Sequence, residues 1–120
     1  MRRLALIVLI SGCITPSIPI PPPDPTEMTF DIDTTAPVGT ATFSYPADSR
    51  IEGAVVFVYN RDQGEGIILT ANADGSVGPS KPFPAMPNNQ VVVTFQNGDQ
   101  SVSTCVRIQQ GTQSATSYCD

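Results

Sequence analysis

A chain of 120 residues carrying a net charge of -5, with neither His nor Trp, excludes several function classes before any motif is read. At 40% hydrophobic and 14% charged, with 12 Pro and 9 Gly, it fits one small turn-rich β domain better than an acidic disordered tail or a two-core protein. The lack of His removes the commonest general base and metal ligand. Beyond Arg2 and Arg3 the only cations are Arg50, Arg61, Lys81 and Arg107, too scattered for phosphate contacts, so no nucleic-acid partner is expected.

The first twelve residues run from a positive start, Met1-Arg2-Arg3, through the apolar stretch Leu4 to Ile10, to the small pair Ser11-Gly12. That order is the pattern of a secretory signal. The apolar stretch is far shorter than the ~20 residues that cross a bilayer core as a helix, so removal is expected rather than permanent anchoring. Ile10-Ser11-Gly12-Cys13 resembles the lipobox of bacterial lipoproteins. The resemblance implies cleavage between Gly12 and Cys13, a diacylglyceryl group on the Cys13 thiol and acylation of the new amino terminus by a fatty acid such as palmitate. Residues 1–12 are then the signal peptide, and the mature protein is held in the cell envelope by lipid, since two or three chains anchor stably where one does not. In a bacterium with two membranes, Ile14 in place of Asp directs the family's sorting toward the outer one. The alternative is an ordinary secreted protein in which Cys13 is incidental.

Residues 13–28 hold the anchor cysteine and a Pro-rich linker. Six prolines between Ile14 and Glu27 fix φ and remove backbone donors, which disfavours a helix or a central strand. An extended spacer is expected, reaching on the order of 40 Å at ~3.1 Å per residue. A docking peptide for a Pro-recognising domain is the other reading.

Residues 29–120 alternate apolar and polar positions in short runs broken by turn residues, the spacing of an all-β sandwich. Seven strands are expected, over Thr29–Asp33, Gly39–Tyr45, Ala54–Asn60, Gly66–Ala71, Ser76–Phe83, Gln90–Gln96 and Ser101–Ile108. The period of two sends Ala41, Phe43 and Tyr45 to one face and Val91, Val93 and Phe95 to another, all core candidates. Ala54 to Tyr59 is apolar at every position, as for a central strand covered on both faces or with one face only partly covered. Turns are expected at Pro46–Ser49, Arg61–Gly64, Asn72–Gly75 and Asn97–Asp99.

The stretch Gly53–Asn60, followed by Ile67–Ser76 with its Ala-Asp-Gly-Ser ending and by Met86–Val93, resembles the carboxypeptidase-regulatory-like and immunoglobulin-like domains of bacterial envelope proteins. The resemblance spans about Val38 to Ile108 and implies an immunoglobulin-like or prealbumin-like sandwich without catalytic residues. Val77-Gly78-Pro79 departs from it, where an aromatic usually follows Gly-Ser.

With Cys13 lipidated, Cys105 and Cys119 form an even pair in an exported protein, which is read as one disulfide clipping the polar tail Gln109–Tyr118 to the sheet; free thiols or an intermolecular bond are the alternatives. Asp31 and Asp33, or Asn72, Asp74 and Asn97, offer oxygen ligands for calcium, but no full ligand loop is present and neither metal nor cofactor is expected. No base stands near Ser44, Ser49 or Ser76, and no Ser-Lys pair forms around Lys81, so no enzyme is expected. Tyr45, Tyr59 and Phe83 are either core or an exposed platform. The resulting expectation is a noncatalytic envelope module contacting a protein or polysaccharide, the alternative being a small-ligand or glycan binder using exposed aromatics.

Overall fold

A computed structural model describes residues 19–35 and 37–119. Gly12, Cys13 and the leader lie outside the described residues. The chain forms an all-β sandwich of two antiparallel four-stranded sheets. Its strands are β1 (Thr29–Asp33), β2 (Thr40–Ser44), β3 (Val55–Asn60), β4 (Glu65–Thr70), β5 (Phe83–Pro84), β6 (Gln90–Asn97), β7 (Gln100–Arg107) and β8 (Gly111–Thr112). One sheet runs β5-β2-β1-β8 and the other β4-β3-β6-β7.

The alternation seen in sequence fixes the core. Phe30, Ala41, Phe43 and Phe83 point inward from the first sheet, and Val56, Val58, Val91, Val93, Phe95 and Val106 from the second, all essentially without solvent contact. Ring packing joins the layers, with Phe30 5.2 Å from Phe43 and Tyr45 edge-on to Phe95 at 5.1 Å. Each such pair adds about 0.5–1.5 kcal/mol beyond its buried area. Tyr45 and Phe83 are therefore core residues. Burial raises the Tyr45 phenol above its ordinary value, although its hydroxyl accepts the Asp24 N–H at 3.0 Å.

Three expectations differ from what forms. Ser76–Phe83 is not a strand: Val77 makes a lone bridge to Tyr45, and only Phe83–Pro84 pairs with β2. Pro79, Pro82 and Pro84 supply no N–H, so a continuous ladder cannot be built there. The polar tail contributes β8, which pairs with Thr29 and Phe30. Its neighbour Gln113 is buried yet satisfied, donating to the Gln109 and Gly111 carbonyls and accepting the Gln109 N–H.

The third difference concerns the Pro-rich segment. From Ile20 onward it is packed on the sandwich, with Ile20, Pro23, Pro25 and Met28 buried. Prolines lack donors, so polar side chains of the domain bond to the few backbone groups that remain. The Ile20 N–H donates to Gln100 Oε1 at 2.8 Å, and the Pro23 carbonyl accepts the buried Thr104 hydroxyl at 2.6 Å. Asp24 caps a short 3-10 turn over Pro25–Glu27. Only residues before Ile20 remain as candidate spacer.

Candidate functional site

The feature that stands out on the surface is built by β3 and β4. Asn60 ends β3 fully buried, with every polar atom engaged. Its Nδ2 donates to the Pro84 carbonyl and to Asn89 Oδ1, and its Oδ1 accepts the amides of Asp62 and Gln63. This network shapes the Arg61–Gly64 turn and sets β4 beside β3, pairing Phe57 with Ile68 and Tyr59 with Gly66. At Gly66 a Cβ would collide with the Val58 carbonyl, so only glycine allows β4 to approach so closely.

Inward positions of β3 are buried, but among the described residues no element covers its other face. Of the two readings of Ala54–Tyr59, cover on both faces or only partial cover on one, the second is what forms: β3 is central within its sheet, and Val55 and Phe57 are half-buried while Tyr59 is exposed. Phe57 is half-buried, Tyr59 is 47% exposed and Ile68 on β4 is 70% exposed. Val92 of β6 lies beside Tyr59, extending the apolar surface across three strands. The surface is shallow, with a depression of about 260 Å³ at Phe57, Tyr59, Gly66 and Ile68.

β4 is also an edge strand, and its backbone is half unpaired. The Ala71 N–H donates to the Ala54 carbonyl at 2.8 Å. Antiparallel ladders alternate, so the amides and carbonyls of Leu69, Ile67 and Glu65 face β3 while those of Thr70, Ile68 and Gly66 face outward. Beside this edge runs an open groove of about 370 Å³ between Ile67–Thr70 and the Gly78–Lys81 stretch. Among the described residues neither Glu65 nor Lys81 has a salt-bridge partner.

The residues singled out in sequence are dispersed. Cys105 and Cys119 are joined as a disulfide, Cα–Cα 5.4 Å, at the opposite edge of the same sheet. Asp33 and Asp74 each accept bonds from the hydroxyl and amide of the residue two positions on, Thr35 and Ser76. Those bonds, the hydroxyl contribution being the larger, hold both carboxyls below their usual range. Asp31 accepts from Gln110, and Asn72 donates to the Ser76 hydroxyl. Asn97 ends β6 at the hairpin into β7. Among the described residues no three acidic or thiol groups converge on one point.

No family model, curated protein or solved structure matches this chain.

Chemical reasoning about the surface therefore rests on its own groups. It offers apolar area around the Tyr59 hydroxyl and a row of backbone donors and acceptors at strand spacing, with the Thr70 hydroxyl and the Glu65 and Lys81 charges along the edge. Of the apolar residues only Tyr59 had been singled out in sequence. The signal for the rest was present in Ile67-Ile68-Leu69, a run apolar on both faces, which in a sandwich of two sheets leaves one face wet.

Proposed function

We propose that this protein is a lipid-anchored bacterial envelope module, noncatalytic, whose sandwich contacts a protein partner along the β4 edge. The anchor reading is supported by the charge, length and small residues that precede Cys13, and by the resemblance of Ile10–Cys13 to a lipobox. The contact reading is carried by one observation: Ile68 is 70% exposed on an uncovered edge strand, beside Phe57 and Tyr59.

Natural sheets blunt such edges with Lys, Pro, bulges or covering segments, because unpaired N–H and C=O groups recruit further strands. Here Gly66, Ile68 and Thr70 present those groups without a blocking charge among them. A partner strand adding to β4 would satisfy them and bury Ile68, the mode in which main-chain bonds give affinity and side-chain pockets give specificity. This chemistry favours a polypeptide over a polysaccharide. The second reading, a small ligand or glycan on Tyr59, has the exposed ring in its favour, but the surface around the ring lacks the convergent polar groups that orient such ligands.

The test is site-specific photocrosslinking in a bacterial envelope expressing the full chain. A photoreactive residue at Ile68 is expected to give a discrete, protease-sensitive adduct that one at Ser101, across the sheet on β7, does not give. Ile68→Lys, with the crosslinker moved to Thr70, is expected to abolish the adduct. Equal adducts from both edges, or an adduct that resists protease, would overturn the reading.

A further inference from the structure

β4 lacks a side chain at the one place where its neighbours carry exposed apolar ones. Gly66 opposes Tyr59, and because a Cβ there would collide with the Val58 carbonyl, the position takes glycine. The sheet above it is left bare. Tyr59, Phe57 and Ile68 stand around this gap as the walls of the depression of about 260 Å³. Two of the most exposed apolar side chains of the domain, Tyr59 and Ile68, are therefore held apart by a residue that offers backbone alone.

The amide and carbonyl of Gly66 face outward, where a strand added antiparallel to β4 would bond to them. The residue brought opposite Gly66 then stands about 5.5 Å from it, with Tyr59 about 4.5 Å away on the other side, the hydrogen-bonded and non-hydrogen-bonded spacings of an antiparallel ladder. Nothing but glycine lies between. An aromatic ring on the incoming residue reaches across Gly66, covers its backbone and meets the Tyr59 ring, the arrangement by which an edge glycine is rescued in sheets. A small or polar side chain at the same place leaves the gap to water and Tyr59 wet. Two residues along the added strand, an aliphatic side chain opposite Ile68 completes the outward row. Its inward side chains lie over the groove of about 370 Å³ beside Gly78–Lys81, where Lys81 is the charged residue and favours an acid over a base.

We infer that the polypeptide strand received by β4 carries an aromatic side chain opposite Gly66, seated between Tyr59 and Ile68, so that the gap selects extended segments with a ring at this one outward position. The inference rests on the strand addition proposed above and goes beyond it: backbone bonding accepts any sequence without proline at the bonded amides, whereas the gap reads one side chain. A free aromatic ligand does not suit the same place, since the depression is shallow and has no convergent polar groups to orient one. The ladder delivers the ring.

The chain contains no Trp, so emission from a Trp-bearing peptide reports that peptide's own surroundings. A peptide of about nine residues alternating Val and Thr, with Trp at the centre in a Val position so that it shares their face, is titrated into the full chain in detergent micelles, with empty micelles as the blank. Saturable binding with blue-shifted emission is expected. The same peptide with Ala for Trp is expected to compete at least about tenfold more weakly, the order that burial of an aromatic side chain supplies. Tyr59→Ser is expected to reduce that preference several-fold, and Ile68→Lys to abolish binding of both peptides, urea unfolding confirming that each variant is folded. Equal affinities for the two peptides, both lost in Ile68→Lys, would overturn the aromatic preference while leaving strand addition standing. A preference unchanged by Tyr59→Ser would overturn it too, because the ring would then sit elsewhere. Trp-peptide binding that survives Ile68→Lys would overturn strand addition and the preference together. Binding of neither peptide at millimolar concentration would overturn the preference, and the Ile68 photocrosslink would then decide whether strand addition stands.

Discussion

Along β7 and β1 the sandwich is closed by chain recruited from both termini, whereas along β4 the sheet stops at a bare edge. On the closed side the Pro-rich segment runs over Thr104, Gln110 bonds to the Ile32 amide on β1, β8 extends the first sheet, and Ser117–Cys119 pairs against β7. The tail is polar and holds on through directed hydrogen bonds, whereas the proline-rich segment adds such bonds to the burial of Ile20 and Met28. On the open side Ile68 and Tyr59 are among the exposed residues, and Ile68 is more hydrophobic than anything exposed in the tail from Gln109 to Cys119. The contrast reverses the usual protection of an edge, in which the apolar strand is hidden and the charged one shown. It is this contrast on which the proposed strand-adding partner rests.

The largest effect is expected from breaking the closed side at its covalent point. Cys119→Ser opens the loop closed by Cys105, for which loop-closure entropy gives about 3 kcal/mol. A fall of that size in urea-unfolding free energy is expected. Loss of exchange protection at the Arg107 amide, which donates to the Ser117 carbonyl, should accompany it. If the tail stayed protected in the variant, backbone pairing alone would suffice and the bridge would be incidental.

A smaller effect is expected where the amino-terminal segment docks. Thr104→Val keeps the side-chain shape in the core but leaves the Pro23 carbonyl without its donor, a buried acceptor whose loss of partner costs about 1–3 kcal/mol. Limited proteolysis should then cut between Ile20 and Met28 in the variant and not in the parent. An unchanged cleavage pattern would mean that the segment is held by Ile20 and Met28 packing alone.

How much of this was legible in the sequence follows the same division. The core strands were, because Ala41, Phe43 and Phe95 alternate with polar neighbours, β3 is a continuous apolar run of strand length, and the Asp-Gly and Asn-Gly turns punctuate them. The Cys105–Cys119 pairing was legible from export logic. The docked prolines and β8 were not, since their partners are single polar atoms on distant residues, separated by 80 positions for Ile20 and Gln100, and such contacts leave no periodic trace. The broken strand at Ser76–Phe83 had its warning in Pro79 and Pro82, which supply no backbone donor. At the β4 surface, Tyr59 was visible as a candidate, but whether its face was covered depended on which elements lie over the sheet, a long-range property that strand patterning does not encode.

The smallest perturbation leaves the protein unchanged and reads the open edge directly. If antiparallel alternation governs β4, the amides of Ile67 and Leu69 donate to β3 while those of Gly66, Ile68 and Thr70 meet water. Native-state hydrogen exchange resolved by residue should therefore alternate along β4, slow at the odd positions and near the rate of unstructured peptide at the even ones. β3 and β6, paired on both sides, should be slow at every position. Adding an envelope partner that forms the Ile68 adduct should convert the even amides of β4 to slow exchange and leave β3 as it was. Uniform protection along β4 in the isolated protein would mean that the edge is already covered, by a second copy or by the protein's own chain, and a strand-adding partner would have no free ladder to join.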